Sequence, residues 1–158
     1  MPSFSIRPAV AGDQQALFDL IRALARFERL EDGVIGSARE LGQHLFGGDP
    51  TAGGRPFAEA LLAEQDGAAV GFALFFTNYS TFLTRPGIYL EDLFVLESHR
   101  RQGVGRALLS AVRRIAEERG AGRLEWAVLD WNAGAIDFYR RIGADVMPDW
   151  RICRVRLI

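Results

Sequence analysis

Residues 97–109 read Glu-Ser-His-Arg-Arg-Gln-Gly-Val-Gly-Arg-Ala-Leu-Leu, ESHRRQGVGRALL. Before them lies an apolar run, IYLEDLFVL (88–96), suited to a central strand. After them Val104, Leu108, Val112 and Ile115 recur at helical spacing, while Arg113, Arg114, Glu117 and Glu118 take the opposite face. A strand therefore hands over to a helix at Gly103 and Gly105. Glycines let the main chain bend tightly and approach an anion. A helix start offers unsatisfied N–H donors and a partial positive charge, to which Arg100, Arg101 and Arg106 can add charge-assisted hydrogen bonds. The stretch is a phosphate-binding candidate, against the alternative of a tight connection with solvated arginines. It is not a P-loop, which needs four residues between its glycines and then Lys-Ser/Thr. A dinucleotide fingerprint would need a small residue where Leu108 stands.

Working outward, residues 3–7 alternate and Pro8 ends them, which predicts a strand. Asp13 is a plausible N-cap for an amphipathic helix over 14–30 carrying Leu17, Ile21 and Leu24. A weaker helix covers 37–45, and GGDPTAGGRP (47–56) reads as a mobile loop. Strands 58–65 and 69–77 form a hairpin about Asp66-Gly67, and a polar loop spans 78–87. Beyond the glycine loop, Gly120 and Gly122 stop the helix, and LEWAVLDW (124–131) is a further strand. A short helix over 133–142 ends at Gly143, and an alternating strand over 151–157 closes the sheet. The expected architecture is one α/β domain over 1–158, a mixed, mostly antiparallel twisted sheet flanked by helices in the order β-α-α-β-β-β-α-β-α-β-β.

Bulk properties narrow the partners. The chain has 158 residues, 49% hydrophobic and 25% charged, and 19 basic against 20 acidic residues leave a net charge of −1. No global field draws nucleic acid. One cysteine, Cys153, and two histidines, His44 and His99, offer neither an internal disulfide nor metal-ligand spacing. MPSFSIRPAV lacks the pattern of a signal peptide, and the longest apolar run, AAVGFALFF, is too short to span a bilayer. A cytoplasmic protein with no membrane partner is expected.

Arg100-Arg101-Gln102-Gly103-Val104-Gly105 fits Arg/Gln-x-x-Gly-x-Gly/Ala and resembles the coenzyme A pyrophosphate loop of the GNAT superfamily of N-acetyltransferases. WNAGAIDFYRRIGA (131–144) resembles that superfamily's second signature. Together with IRPA, LARFE and YLEDLFV, these segments are similar to the diamine (spermidine/spermine) N-acetyltransferase-like group. The resemblance implies acetyl-CoA as cofactor, a small cationic amine of polyamine or lysine-analogue type as substrate, and a homodimer. Against the group's pattern, the 47–56 loop is longer and DVMPDW (145–150) shorter, and both border the expected amine site.

Acetyl transfer to an amine needs a neutral amine, although an alkylamine with pKa of about 10.4 is almost wholly protonated at neutral pH. A positioned base takes the proton as attack proceeds. Glu91 and Asp92 interrupt an apolar strand, where ionised carboxylates are costly unless paired. Strand neighbours face opposite ways, so both serve one site only if a bulge re-aims them. The resemblance implies Glu91 as a water-relayed base and Asp92 as an amine contact, and the residues alone leave open which accepts the proton. Glu28 continues the inward stripe of its helix by one step, and the resemblance adds Phe27 and Glu28 as substrate contacts. Tyr139 lies on an inward helix stripe, where a core tyrosine is the plain reading; the resemblance makes it the general acid toward the thiolate. Asn132 is most simply an N-cap. The resemblance places it, Ala135 and Tyr139 with the loop Arg100, Arg101, Gln102, Gly103, Val104, Gly105 and Arg106 against the cofactor. It also implies backbone contacts from Leu93, Phe94 and Val95. A non-catalytic acyl-CoA-binding module and a peptide-amine acetyltransferase are the alternatives.

Overall fold

A computed structural model describes residues 3–48 and 53–158. Two compact units emerge, Met1–Trp126 and Ala127–Ile158. The first carries β1 (Phe4–Pro8), α1 (Gln14–Glu28), α2 (Ala38–Phe46), β2 (Glu59–Gln65), β3 (Ala68–Ser80), β4 (Arg85–Val95), α3 (Val104–Glu118) and β5 (Leu124–Glu125). The second carries α4 (Ala133–Arg141). The sheet order is β1-β2-β3-β4-β5, antiparallel throughout except for the parallel β4–β5 pair.

Cross-strand partners share a face of a sheet, so the register sorts the core into layers. Leu62, Phe72 and Phe94 are successive partners and join Leu17, Leu20 and Leu45 of α1 and α2 in one apolar cluster. Gly71, Ala73, Leu93 and Val95 occupy the other face, which α3 covers with Val104, Leu108 and Val112 fully buried. Contact there is close: a Cβ on Gly71 would lie 2.8 Å from the Phe94 carbonyl oxygen and 3.4 Å from Leu108 Cδ1.

Several helix ends match the sequence. Ser37 Oγ accepts from the Glu40 amide at 3.2 Å and donates to its carboxylate at 2.8 Å, an N-cap that starts α2. Asp13 sits at the N-cap of α1, but its side chain makes no cap bond there. It takes the Arg7 guanidinium at 2.7 and 3.0 Å and the Val10 amide at 2.7 Å instead. Arg7, shared with Glu64 at 2.7 Å, holds both carboxyls below their usual range and so fastens β1 to β2 and to the start of α1.

Three expectations change. The polar loop over 78–87 is largely strand: β3 runs to Ser80, β4 starts at Arg85, and Thr84 turns between them at φ 50°. Ladder pairing uses the backbone, so polar side chains do not prevent it. LEWAVLDW contributes only Leu124–Glu125, paired to Ile88 and Tyr89. The closing strand over 151–157 does not form; alternation supplies a face but not a partner edge, and Ile152, Val155 and Leu157 are exposed. Within the 47–56 loop, residues 49–52 lie outside the described residues.

Candidate active site

The decisive local feature lies in β4. Phe75 pairs with Leu90 and Leu74 with Asp92, so two residues of β3 oppose three of β4, and Glu91 is the extra residue of a β-bulge. The bulge reverses the strand's phase. Leu90 shares a face with its partner Phe75, whereas Asp92 shares the face of Leu74 and Phe94, which lies toward α1. Glu91 itself is exposed.

On that face the last residue of α1, Glu28, is half-buried. Burial raises its carboxyl above the usual range. Asp92 is also half-buried, and burial first, then repulsion by Glu91 and Glu28, pushes it from 3.8 to about 7. Glu28, Glu91 and Asp92 thus form one electrostatically coupled group. Phe27 closes it, its ring centroid 6.4 Å from that of Phe94. Such a group attracts a cation, and its most buried member exchanges a proton near neutral pH. Among the described residues, no cluster of three His, Cys, Asp or Glu is arranged to hold a metal ion.

After β4 a short 3-10 turn at Glu97–His99 leads into the glycine loop. Arg101 and Gly103 both adopt left-handed conformations, φ 61° and 87°, and Gly103 caps α3. The first bond of that helix runs from the Ala107 amide to the Gly103 carbonyl, 2.9 Å, so the amides before Ala107 precede the intrahelical ladder. Arg101, Gln102, Gly103 and Arg106 are exposed, Gly105 is half-buried, and Val104 anchors the loop from beneath. Gln102 turns its amide to the Ser98 carbonyl at 3.3 Å.

Arg100 does not point into solvent. Its Nε donates to the Val95 carbonyl at 3.0 Å, and its Cζ lies 4.3 Å above the Phe27 ring and 5.6 Å from that of Phe94. No sequence pattern announces this contact, because Phe27 and Arg100 are brought together only by the packing of α1 on β4.

The residues fit coenzyme A on two observations. The β4–β5 ladder ends at Tyr89–Glu125 while β4 continues to Val95, so the β5-side edge of Leu93, Phe94 and Val95 lies beyond that ladder. At the end of that edge stand the left-handed loop and the start of a helix of 15 residues, a ready anion site.

In the second unit, Asn132 caps α4, its side-chain oxygen accepting from the Ala135 amide at 3.2 Å. Gly143, at φ 88°, and Ala144 donate back to Arg140 and Tyr139 carbonyls, closing the helix. Tyr139 is the buried residue of α4, with its ring 5.5 Å from that of Phe138.

Residues 22–144 match the family described as Acetyltransferase (GNAT) family. The chain belongs to it. Among relatives of this GNAT chain, L-ornithine N5-acetyltransferase NATA1 of Arabidopsis thaliana is 50% identical over 102 residues, which is 63% of this chain and 45% of that protein. The chain therefore matches less than half the length of that plant relative. Thialysine N-epsilon-acetyltransferase of Bos taurus is 38% identical over 152 residues, covering 91% of this chain and 85% of that one. The fold is shared with the crystal structure of an aminoglycoside acetyltransferase from an uncultured soil metagenomic sample, TM-score 0.79 at 19% identity, with 98% and 97% of the two chains covered. As a GNAT acetyltransferase, the chain has acetyl-CoA as its acetyl donor.

Proposed function

We propose that this chain transfers an acetyl group directly to the primary amine of a small cation, with the terminal amine of an ornithine- or lysine-type amino acid as the leading substrate and polyamines second. The observation that carries this reading is the bulge at Glu91, which sets Asp92 toward α1 in a carboxylate group with Glu28 and Glu91. Relatives named for ornithine and thialysine support the amino-acid amines, and a spermidine/spermine-like relative at 30% identity supports the polyamines.

Each residue has a task in this reading. Asp92 and Glu28, with Phe27 beside them, hold the ammonium end; Glu91, at the solvent side of the bulge, takes the amine proton through a water. Bound acetyl-CoA supplies an activated thioester. Backbone groups of Leu93, Phe94 and Val95 receive its pantetheine arm and carbonyl. The loop from Arg100 to Arg106 receives its pyrophosphate, with Asn132 and Ala135 contributing from α4. The Tyr139 hydroxyl returns a proton to the departing sulfur. The family match over residues 22–144 includes residues of both units. Exposed Trp150, Ile152, Val155 and Leu157 support a homodimer. A free, exposed Cys153, with no helix of the described residues long and apolar enough to cross a membrane, is consistent with a cytoplasmic setting.

The test is thiol release from acetyl-CoA across ornithine, lysine, thialysine, spermidine and a lysine-containing peptide. Turnover of the amino acids is expected, with kcat reduced on the order of 10²-fold in Glu91→Gln and in Tyr139→Phe. Tight coenzyme A binding without turnover of any amine would instead make the chain a binding module. Preference for the peptide would move the substrate class.

A further inference from the structure

The arginine that opens the loop motif is held by the protein at two points. Its Cζ lies over Phe27, 4.3 Å from the ring centroid, and its Nε is tied to the Val95 carbonyl. Phe27 immediately precedes Glu28 in the final turn of α1, and that turn ends on a strained left-handed residue, Arg29 at φ 60°. Phe27 is 37% exposed, and the Arg100 guanidinium carbon lies over its ring. One side chain thus joins the start of the cofactor loop to the turn carrying a carboxylate of the amine site.

We propose that Arg100 is a positioning residue that couples the two substrates: stacked on Phe27 and bonded to Val95, it transmits order in the pyrophosphate loop to the Glu28 turn and back. Cation–π stacking depends on a planar, weakly hydrated cation over an aromatic face. When the loop is fixed by its ligand, the arginine is held, and the Phe27–Glu28 turn is held with it. Less ordering then remains to be done when the amine binds. Linkage makes this reciprocal: the amine must tighten coenzyme A by the same factor.

The inference rests on the reading of the chain as a coenzyme A-dependent amine acetyltransferase. It is tested by titrating coenzyme A into the full chain with and without saturating ornithine, following binding by calorimetry. The wild-type chain, Arg100→Lys, Phe27→Leu, Phe27→Tyr and the Arg100→Lys/Phe27→Leu double variant are compared, with thermal melts of each. In the wild type, ornithine is expected to tighten coenzyme A about fivefold, the size of one good cation–π contact. Phe27→Leu, a change on the amine side, weakens coenzyme A and reduces the coupling to near one. Arg100→Lys does the same, the double variant adds nothing further, and Phe27→Tyr restores the coupling. Coupling that survives in both single variants, or its loss in step with a lower melting temperature in every variant, overturns the proposal. Failure of the wild type to bind coenzyme A at all would instead reject the functional reading beneath it.

Discussion

At the scale of single residues, Asp92 carries the clearest energetic signature. Its carboxyl is raised from 3.8 to about 7 in the folded chain, so between those values the native state binds more protons than the unfolded one. Stability associated with this group is therefore present at low pH and declines as pH rises through about 7. Asp92→Asn should be more stable than the wild type at pH 8, on the order of 2 kcal/mol after allowing for water in an open cleft, and the gain should vanish near pH 4. Chemical denaturation at the two pH values measures this directly. Catalysis should move the other way. A neutral Asp92 cannot hold an ammonium, so the wild type loses kcat/KM for ornithine below about pH 7, and the variant shows a low rate without that inflection. The identity of this residue was legible as an isolated charge in an apolar strand. Its proton affinity was not, because that depends first on burial, then on Glu91 beside it and on Glu28, 64 positions away and brought near only by folding.

At the scale of elements, what sequence reading captured and missed follows one rule. Elements defined by their own residues are legible: α3 from its apolar stripe, α4 from its stripe with Asn132 and Gly143, and α2 as a weaker helix over 37–45. Elements defined by a partner are legible only in part: β1, β2 and the apolar centres of β3 and β4 are, but not how far the pairing extends. The long β3–β4 hairpin hides behind polar residues, and the 151–157 alternation predicts a strand that has no ladder. The bulge was recognised as a condition for a joint site, but its position required the register. Layer contact at Gly71 belongs to the same class. It reads as an ordinary strand glycine, yet a methyl group there would meet backbone 2.8 Å away. Gly71→Ala should cost about 2 kcal/mol in urea denaturation, because Phe94 and α3 must both shift. The same shift would disturb the ring that packs against Phe27.

At the scale of the whole molecule, a net charge of −1 conceals a division of labour: carboxylates gather at the end of α1 and the bulge, while exposed Arg101 and Arg106 flank the start of α3. That separation suits one cationic and one polyanionic ligand. The second unit exposes Met147, Trp150, Ile152, Val155, Leu157 and Ile158 within a dozen residues. Such a concentration of exposed apolar side chains is what the proposed homodimer would cover. Light scattering at micromolar concentration should therefore give twice the chain mass of 17.5 kDa, and Val155→Asp with Leu157→Asp should return it to a single chain. A wild-type chain of monomer mass would refute the homodimer.

The bulge in β4 also makes Glu91 dispensable to the layering of the sheet. A strand assigns its side chains to alternate layers by counting, and Glu91 is the one residue at which the count is reset. Changing the side chain at 91 alters chemistry and leaves the count intact. Removing the residue makes Leu90 and Asp92 neighbours, so ordinary alternation keeps Leu90 in the layer of Phe75 and Asp92 in the layer of Leu74, and what is lost is the carboxylate between them. The two layers are thus fixed by their partners in β3, and the residue between them is left to carry a group for the proposed reaction.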